Sequence, residues 1–243
     1  MKVVIIGGTG FVATELITQS MAMSEITSVV AVARRPTELA ADFLNRDKFK
    51  SVVISDYEKF DDPPKAELLG ADVCIWTVAI TPGRLRQFDF AEVKRVCQDC
   101  TVAGLKAVSE ANKDSAQPTT FIYMSADGIP ADLTKKPPFL GDYMIMRGET
   151  ERLIKVFGQD HDQVDVHIVS PGMVWSSITF WRSVVANLFW ATNLLTSAIP
   201  NIGLTVLAAA ILDQAVRGFE KDDLSNADLV RIGEAALAKR AKL

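Results

Sequence analysis

Cysteine and histidine are scarce in this chain: three and two among 243 residues. An odd, small number of cysteines excludes a disulfide-stapled scaffold and fits a reducing compartment. Cys97 and Cys100 do form a C-x-x-C, but inside an expected helix (Ala91 to Asn112) and without a second pair. His161 and His167 both lie near an expected strand, so neither the ligand number nor the spacing of a zinc site is met and the thiols read as structural. A basic run is also missing, and the formal net charge is −4. Both points argue against nucleic acid or an anionic membrane surface as partner. The most apolar stretch, Ile178 to Leu212, is interrupted by Arg182, Asn187, Asn193, Pro200, Asn201 and Gly203. No uncharged run of about 18 residues survives, so the stretch reads as a hydrophobic lid or substrate wall rather than a transmembrane span. Attachment to a membrane surface stays open. With the first strand starting at residue 2, there is no room for a signal or transit peptide, and a cytoplasmic location is expected. Internal repeats and low-complexity tracts are absent too.

What the chain does have is 49% hydrophobic residues, enough for a substantial core in one domain spanning 1–243. Its opening is the most informative part. The apolar strand Lys2 to Ile6 runs into Gly7-Gly-Thr9-Gly10-Phe11-Val12-Ala13 and then a helix-compatible stretch to Met23. Glycines at 7 and 10 permit a tight turn and close approach of backbone to a ligand. The amides that open the helix near Phe11 face an anion, and Ala13 is small enough for the helix to pack on the strand. A second apolar strand, Ser28 to Ala33, completes a βαβ unit. No Lys-Ser/Thr follows the last glycine, so a P-loop is excluded. This is the pattern of a dinucleotide site.

At the end of the second strand, where an acid would bind the ribose 2′-hydroxyl of NAD, the chain reads Ala33-Arg34-Arg35-Pro36. Two guanidinium groups suit a 2′-phosphate instead, which points to NADP(H). Further strands are expected at Ser51–Ser55, Val73–Val78, Thr119–Met124 and Val164–Val169. Helices are expected at Leu39–Asn45, Ala91–Asn112, Asp142–Phe157, Val206–Phe219 and Asn226–Lys239, with polar residues from Glu220 to Asn226 separating the last two. This alternation predicts an α/β, Rossmann-type, doubly wound parallel sheet. Residues from about 175 to 243 form a small substrate-side region of the same domain.

Tyr143 and Arg147 are four residues apart on one expected helix and share a face. A fixed cation lowers the pKa of a neighbouring phenol, so the pair can act as general acid on a carbonyl oxygen. The glycine motif, the strand ending Tyr123-Met124-Ser125, Tyr143-x-x-x-Arg147 and Ser170-Pro171-Gly172-Met173-Val174 together resemble the short-chain dehydrogenase/reductase superfamily. The likeness is to its atypical branch, including the CC3/TIP30-like and NmrA-like NAD(P)-binding proteins. The resemblance implies Tyr143 as proton donor and Arg147, in place of the usual lysine, on the nicotinamide ribose. It further implies cofactor contacts from Gly7, Thr9, Gly10, Phe11, Val12, Arg34, Arg35, Asp56, Thr77, Val78, Pro171, Met173 and Val174. The serine that orients the substrate carbonyl falls at Ser125, or one to two places on, at Ala126 or Asp127.

Trp76, Trp175 and Trp181 are expected to line an apolar substrate pocket, since ligands of open α/β sheets bind beyond the carboxyl ends of the strands. Trp181, Phe189 and Trp190 fit a core or homodimer contact equally well. Three functions follow from the resemblance: an NADP(H)-dependent oxidoreductase acting on a small hydrophobic carbonyl or imine, an isomerase or cyclase on the same scaffold with little net redox, and a nonenzymatic NADP(H)-sensing or protein-binding module.

Overall fold

The computed structural model describes residues 1–39, 45–176 and 200–241. Seven strands form one parallel sheet in the order β3-β2-β1-β4-β5-β6-β9. These are β1 (Lys2–Ile6), β2 (Ser28–Ala33), β3 (Phe49–Val53), β4 (Val73–Trp76), β5 (Thr119–Met124), β6 (Val164–Ser170) and β9 (Asp223–Ser225). The chain first runs outward from β1 to β3, then returns to β4 on the other side of β1. That reversal opens a crevice at the carboxyl ends of β1 and β4. A second, two-stranded parallel sheet pairs β7 (Met173–Trp175) with β8 (Asn201–Gly203).

The strands are apolar on both faces because helices cover both. Alternation along β1 sends Val3 and Ile5 to one side, where they pack with α1 (Phe11–Ala22), α6 (Leu204–Arg217) and α7 (Asn226–Arg240). Val4 and Ile6 go to the other side, beneath α2 (Pro64–Leu68), α4 (Cys100–Ala111) and α5 (Gly141–Gln159). Two helix ends are secured in different ways. The Lys48 ammonium donates to the carbonyls of Ser20, Met23 and Ile26 at 3.2, 2.9 and 3.0 Å, closing α1. Ser225 and Asp228 form a reciprocal capping box that opens α7.

The Rossmann-type expectation holds, with local corrections. The single helix expected over Ala91–Asn112 is α3 (Phe90–Lys94), a π-helical turn (Arg95–Asp99) and α4. The third strand lies two residues earlier than Ser51–Ser55. The polar stretch read as a spacer contains β9, which pairs with β6 through Leu224 opposite Val169. Of the helix expected at Leu39–Asn45, residues 40–44 lie outside the described residues, as do Trp181, Phe189 and Trp190, while Leu39 and Asn45 themselves are not helical. No helix among the described residues is long and apolar enough to cross a membrane.

Candidate active site

The glycine turn sits at the crevice. Gly7 has φ +95°, a conformation L-residues avoid, and its missing Cβ leaves room for Thr77, whose Oγ1 would be 2.5 Å away. Thr77 is held there because its hydroxyl and amide both donate to the Ile6 carbonyl, at 2.8 and 3.0 Å. Gly10 N–H donates to Gly7 O at 2.7 Å and closes the turn, and Gly10 is then the N-cap of α1. Gly8, to which the sequence reading gave no role, lies against Ala31, where a Cβ would be 2.8 Å from that methyl group. Ala13 is buried in the core.

Among the described residues the amides of Phe11, Val12 and Ala13 have no protein acceptor, and no acidic side chain occupies the first turn of α1. Unpaired amides at a positive helix end are a fit for a pyrophosphate. Thr9, Arg34 and Arg35 are exposed and Phe11 is half-exposed at the same end of the sheet.

Asp56 is already engaged: its Oδ1 accepts from the Glu58 amide at 3.1 Å and from Arg95 Nη1 at 3.2 Å. The Glu58 amide and Arg95 hold its carboxyl below the usual carboxylate range. Arg95 also grips Glu92 through two nitrogens, at 2.7 and 2.9 Å. This network on the π-helical turn was not legible in the sequence, because its partners are 37 and 39 residues away in Glu58 and Asp56.

Trp76 is a correction. Its side chain is fully buried beneath α4, edge-on to Tyr57 at 6.1 Å and packed near Phe60 and Phe121. It belongs to the core and has no surface to offer a substrate. Trp175, by contrast, is 49% exposed on β7, with Met173 exposed and Val174 partly buried beside it. Val78 is likewise partly buried next to Thr77. Pro171 is buried, and its carbonyl accepts from the Asp127 amide at 2.9 Å. The neighbouring Gly172 amide donates to Asn226 Oδ1 at 2.8 Å, tying this segment to the start of α7.

Tyr143 and Arg147 do share one face of α5, and both are buried. The Tyr143 hydroxyl forms no hydrogen bond among the described residues, and its ring lines an apolar cavity with Leu85, Phe88, Phe90, Val93 and Leu140. The expected lowering of the phenol pKa is not what the geometry gives. Burial pushes Tyr143 up, and Arg147 offsets only part of the rise.

Arg147 turns inward to β5. Its Nη2 donates to the Met124 carbonyl at 2.6 Å and its guanidinium lies 4.9 Å over the Tyr123 ring, while Nε and Nη1 are buried without hydrogen-bond partners among the described residues. Ser125 donates its hydroxyl to Glu151 Oε1 and its amide to Val169 O at 2.8 Å. Burial holds the Glu151 carboxyl above its ordinary range despite that bond. Ser125 is therefore committed away from Tyr143. The Asp127 side chain has no partner among the described residues and lines a second, wider cleft between α5 and β9. The described residues contain no His/Cys/Asp/Glu cluster able to hold a metal ion.

A scan against protein-family models finds no match, and a search of curated proteins finds none either. Solved structures do match. A dTDP-glucose 4,6-dehydratase from Streptomyces venezuelae with NAD superposes with a TM-score of 0.68 at 14% identity, covering 98% of this chain and 81% of that one. A UDP-glucuronic acid 4-epimerase from Bacillus cereus, bound to UDP-glucuronic acid and NAD, gives 0.66 at 14% identity over 93% and 77%. A short-chain dehydrogenase/reductase from Saccharomyces cerevisiae gives 0.64 at 15% identity over 96% and 99%. The chain shares the Rossmann-type fold of these solved structures.

Proposed function

We propose that this chain binds NADP(H) and reduces a small hydrophobic carbonyl or imine, with Tyr143 as proton donor. One observation carries the cofactor assignment. The unpaired amides of Phe11, Val12 and Ala13 open onto the carboxyl ends of β1 and β2, and exposed Arg34 and Arg35 follow β2 where no acid stands. Gly7, Gly10 and Thr77 shape the turn that would receive the pyrophosphate, and Thr9, Val12 and Val78 border it. The two sugar-nucleotide enzymes above carry NAD; preference for the 2′-phosphorylated dinucleotide rests on the arginine pair alone.

When bound, a reduced nicotinamide supplies hydride to the carbonyl carbon. The chain's own part is to hold the substrate against an apolar wall and give the oxygen a proton. Tyr143 suits reduction rather than oxidation. Burial keeps the phenol protonated at neutral pH, so the hydroxyl has a proton to give although it is a weaker acid than a free phenol, and disfavours the phenolate that oxidation needs. Trp175, Met173 and Val174 on β7 are further candidates for the substrate and cofactor side of the crevice.

The second reading, an isomerase or cyclase with little net redox, is favoured by a specific observation: Ser125 and Arg147 spend hydrogen bonds on Glu151 and Met124 rather than on the Tyr143 hydroxyl. NADPH consumption over a panel of ketones and imines separates the readings. Tyr143→Phe is expected to remove most turnover while leaving NADPH affinity unchanged. Unchanged turnover in that variant refutes the proton-donor role.

A further inference from the structure

A cluster of carboxylates lies beside the arginines that follow β2. β2 and β3 run side by side as far as Ala33 opposite Val53, and the Ile54 amide donates to the Ala33 carbonyl at 3.0 Å. Paired strands stand about 4.8 Å apart, so Arg34 and the segment bearing Asp56, Tyr57 and Glu58 leave the sheet together. Glu92 joins them from α3, where its amide donates to the Asp89 side chain at 2.7 Å.

One guanidinium serves all three carboxylates. Arg95 Nε and Nη2 grip Glu92 at 2.7 and 2.9 Å, and Nη1 divides itself between Asp56 at 3.2 Å and Glu58 at 3.4 Å. The charges do not balance, because three anions share one ion-paired cation. Arg34 lies within electrostatic reach of the same group. Glu92 is held below the ordinary carboxylate range first by Arg95 and last by Arg34, and Arg34 offsets part of the rise that burial gives Tyr57. Arg34 nevertheless stays exposed at the end of β2.

We infer that Arg95 is a positioning residue for dinucleotide choice: by holding Asp56, Glu58 and Glu92 it leaves Arg34 free to meet a 2′-phosphate and lessens the repulsion that phosphate would feel. A phosphate monoester carries about −1.5 to −2 charges at neutral pH. Unpaired carboxylates nearby would therefore act on NADPH and hardly at all on the 2′-hydroxyl of NADH. The inference rests on the NADP(H) reading above and adds to it a residue, distant in sequence from the β2 arginines, that sets the preference of the same site.

The experiment reads the ratio of NADPH to NADH affinity by calorimetry for wild type, Arg95→Met and Glu58→Gln. Arg95→Met is expected to lower that ratio at least about fivefold at low salt, the scale of one charge acting on another near a protein surface, with NADH affinity close to wild type. The gap from wild type should narrow in 1 M salt, where the screening length is about 3 Å. Glu58→Gln removes one partly exposed carboxylate and keeps the amide bond to Asp56, so its folding is not in question. It should raise the ratio about twofold, by the same Coulomb argument with opposite sign. Adding Glu58→Gln and Glu92→Gln to Arg95→Met should restore most of the lost preference, a rescue that a purely structural role for Arg95 would not show. Equal losses for both dinucleotides in Arg95→Met, or a ratio that Glu58→Gln leaves unchanged, overturn the inference while the NADP(H) reading stands. Should wild type itself show no preference for NADPH, that reading fails and the inference falls with it.

Discussion

Replacing Gly104 with alanine tests how the core behind the crevice is built. Gly104 lies in the middle of α4, where alanine is intrinsically favoured by about 1 kcal/mol. Propensity alone therefore predicts a more stable protein. The structure predicts the opposite sign. A Cβ at Gly104 would sit 2.0 Å from Trp76 Cζ3, 2.6 Å from Cη2 and 2.9 Å from Cε3. The indole cannot easily retreat, being fully buried and backed by Tyr57, Phe60 and Phe121. Overpacking of this kind costs about 1–3 kcal/mol, occasionally more, and with a rigid ring as the obstacle the upper end applies. Net destabilisation of about 2 kcal/mol follows, equivalent to a fall in Tm of roughly 4–8 °C for a chain of this size. Because Trp76 adjoins Thr77, the shift should also loosen nucleotide binding. Thermal and urea unfolding of Gly104→Ala beside Gly83→Ala provides the assay, since a Cβ at Gly83 meets nothing within 4 Å. A Gly104→Ala protein as stable as wild type would refute the packing argument.

Three other outcomes follow from the same geometry. Gly7→Ala forces a Cβ toward Thr77 at a φ of +95°, and should weaken NADPH binding at least about tenfold, or about 1.4 kcal/mol, by calorimetry. Lys48→Met strips three carbonyls at the end of α1 of their donor, and urea unfolding should show a loss of about 1–3 kcal/mol. Burial raises the Tyr143 pKa above its ordinary value near 10, so its phenol form persists across neutrality. The rate of carbonyl reduction should be flat between about pH 6 and 9, falling only at higher pH, and a deprotonation limb near neutrality contradicts that assignment.

The parts of the fold that the sequence displays are those where local pattern and tertiary role agree. β2 and β5 occupy the expected residues because continuous runs such as Ser28–Ala33 and Thr119–Met124 are buried on both faces. β3 is displaced by two residues because it is an edge strand, with Lys50 and Val53 exposed, so hydrophobicity does not mark its limits. β9 is invisible for a related reason: only Leu224 of its three residues is buried, and its pairing with β6 is a long-range event. Trp76 shows a different limit. In a strand covered on both sides, nothing local says which way a residue faces, and the pleat sends Trp76 under α4 with Val4 and Ile6.

The candidate site divides in the same way. The glycine turn and the arginines after β2 are each a short motif legible in the sequence, and both lie at the same end of the sheet. Tyr143 and Arg147 share a helix face as their spacing requires, but rotamer and burial decide what they touch, and Arg147 turns to Met124. The Ser125–Glu151 bond joins residues 26 apart and carries no sequence signal.

Isothermal titration calorimetry with NADPH and NADH, on wild type and on the Arg34→Ala/Arg35→Ala double variant, tests the central claim most directly. Wild type is expected to bind NADPH at least about tenfold more tightly than NADH, a difference of about 1.4 kcal/mol. The double variant should lose that preference while keeping its NADH affinity. Absence of heat with either dinucleotide, or an NADPH preference that survives loss of both arginines, would contradict the account.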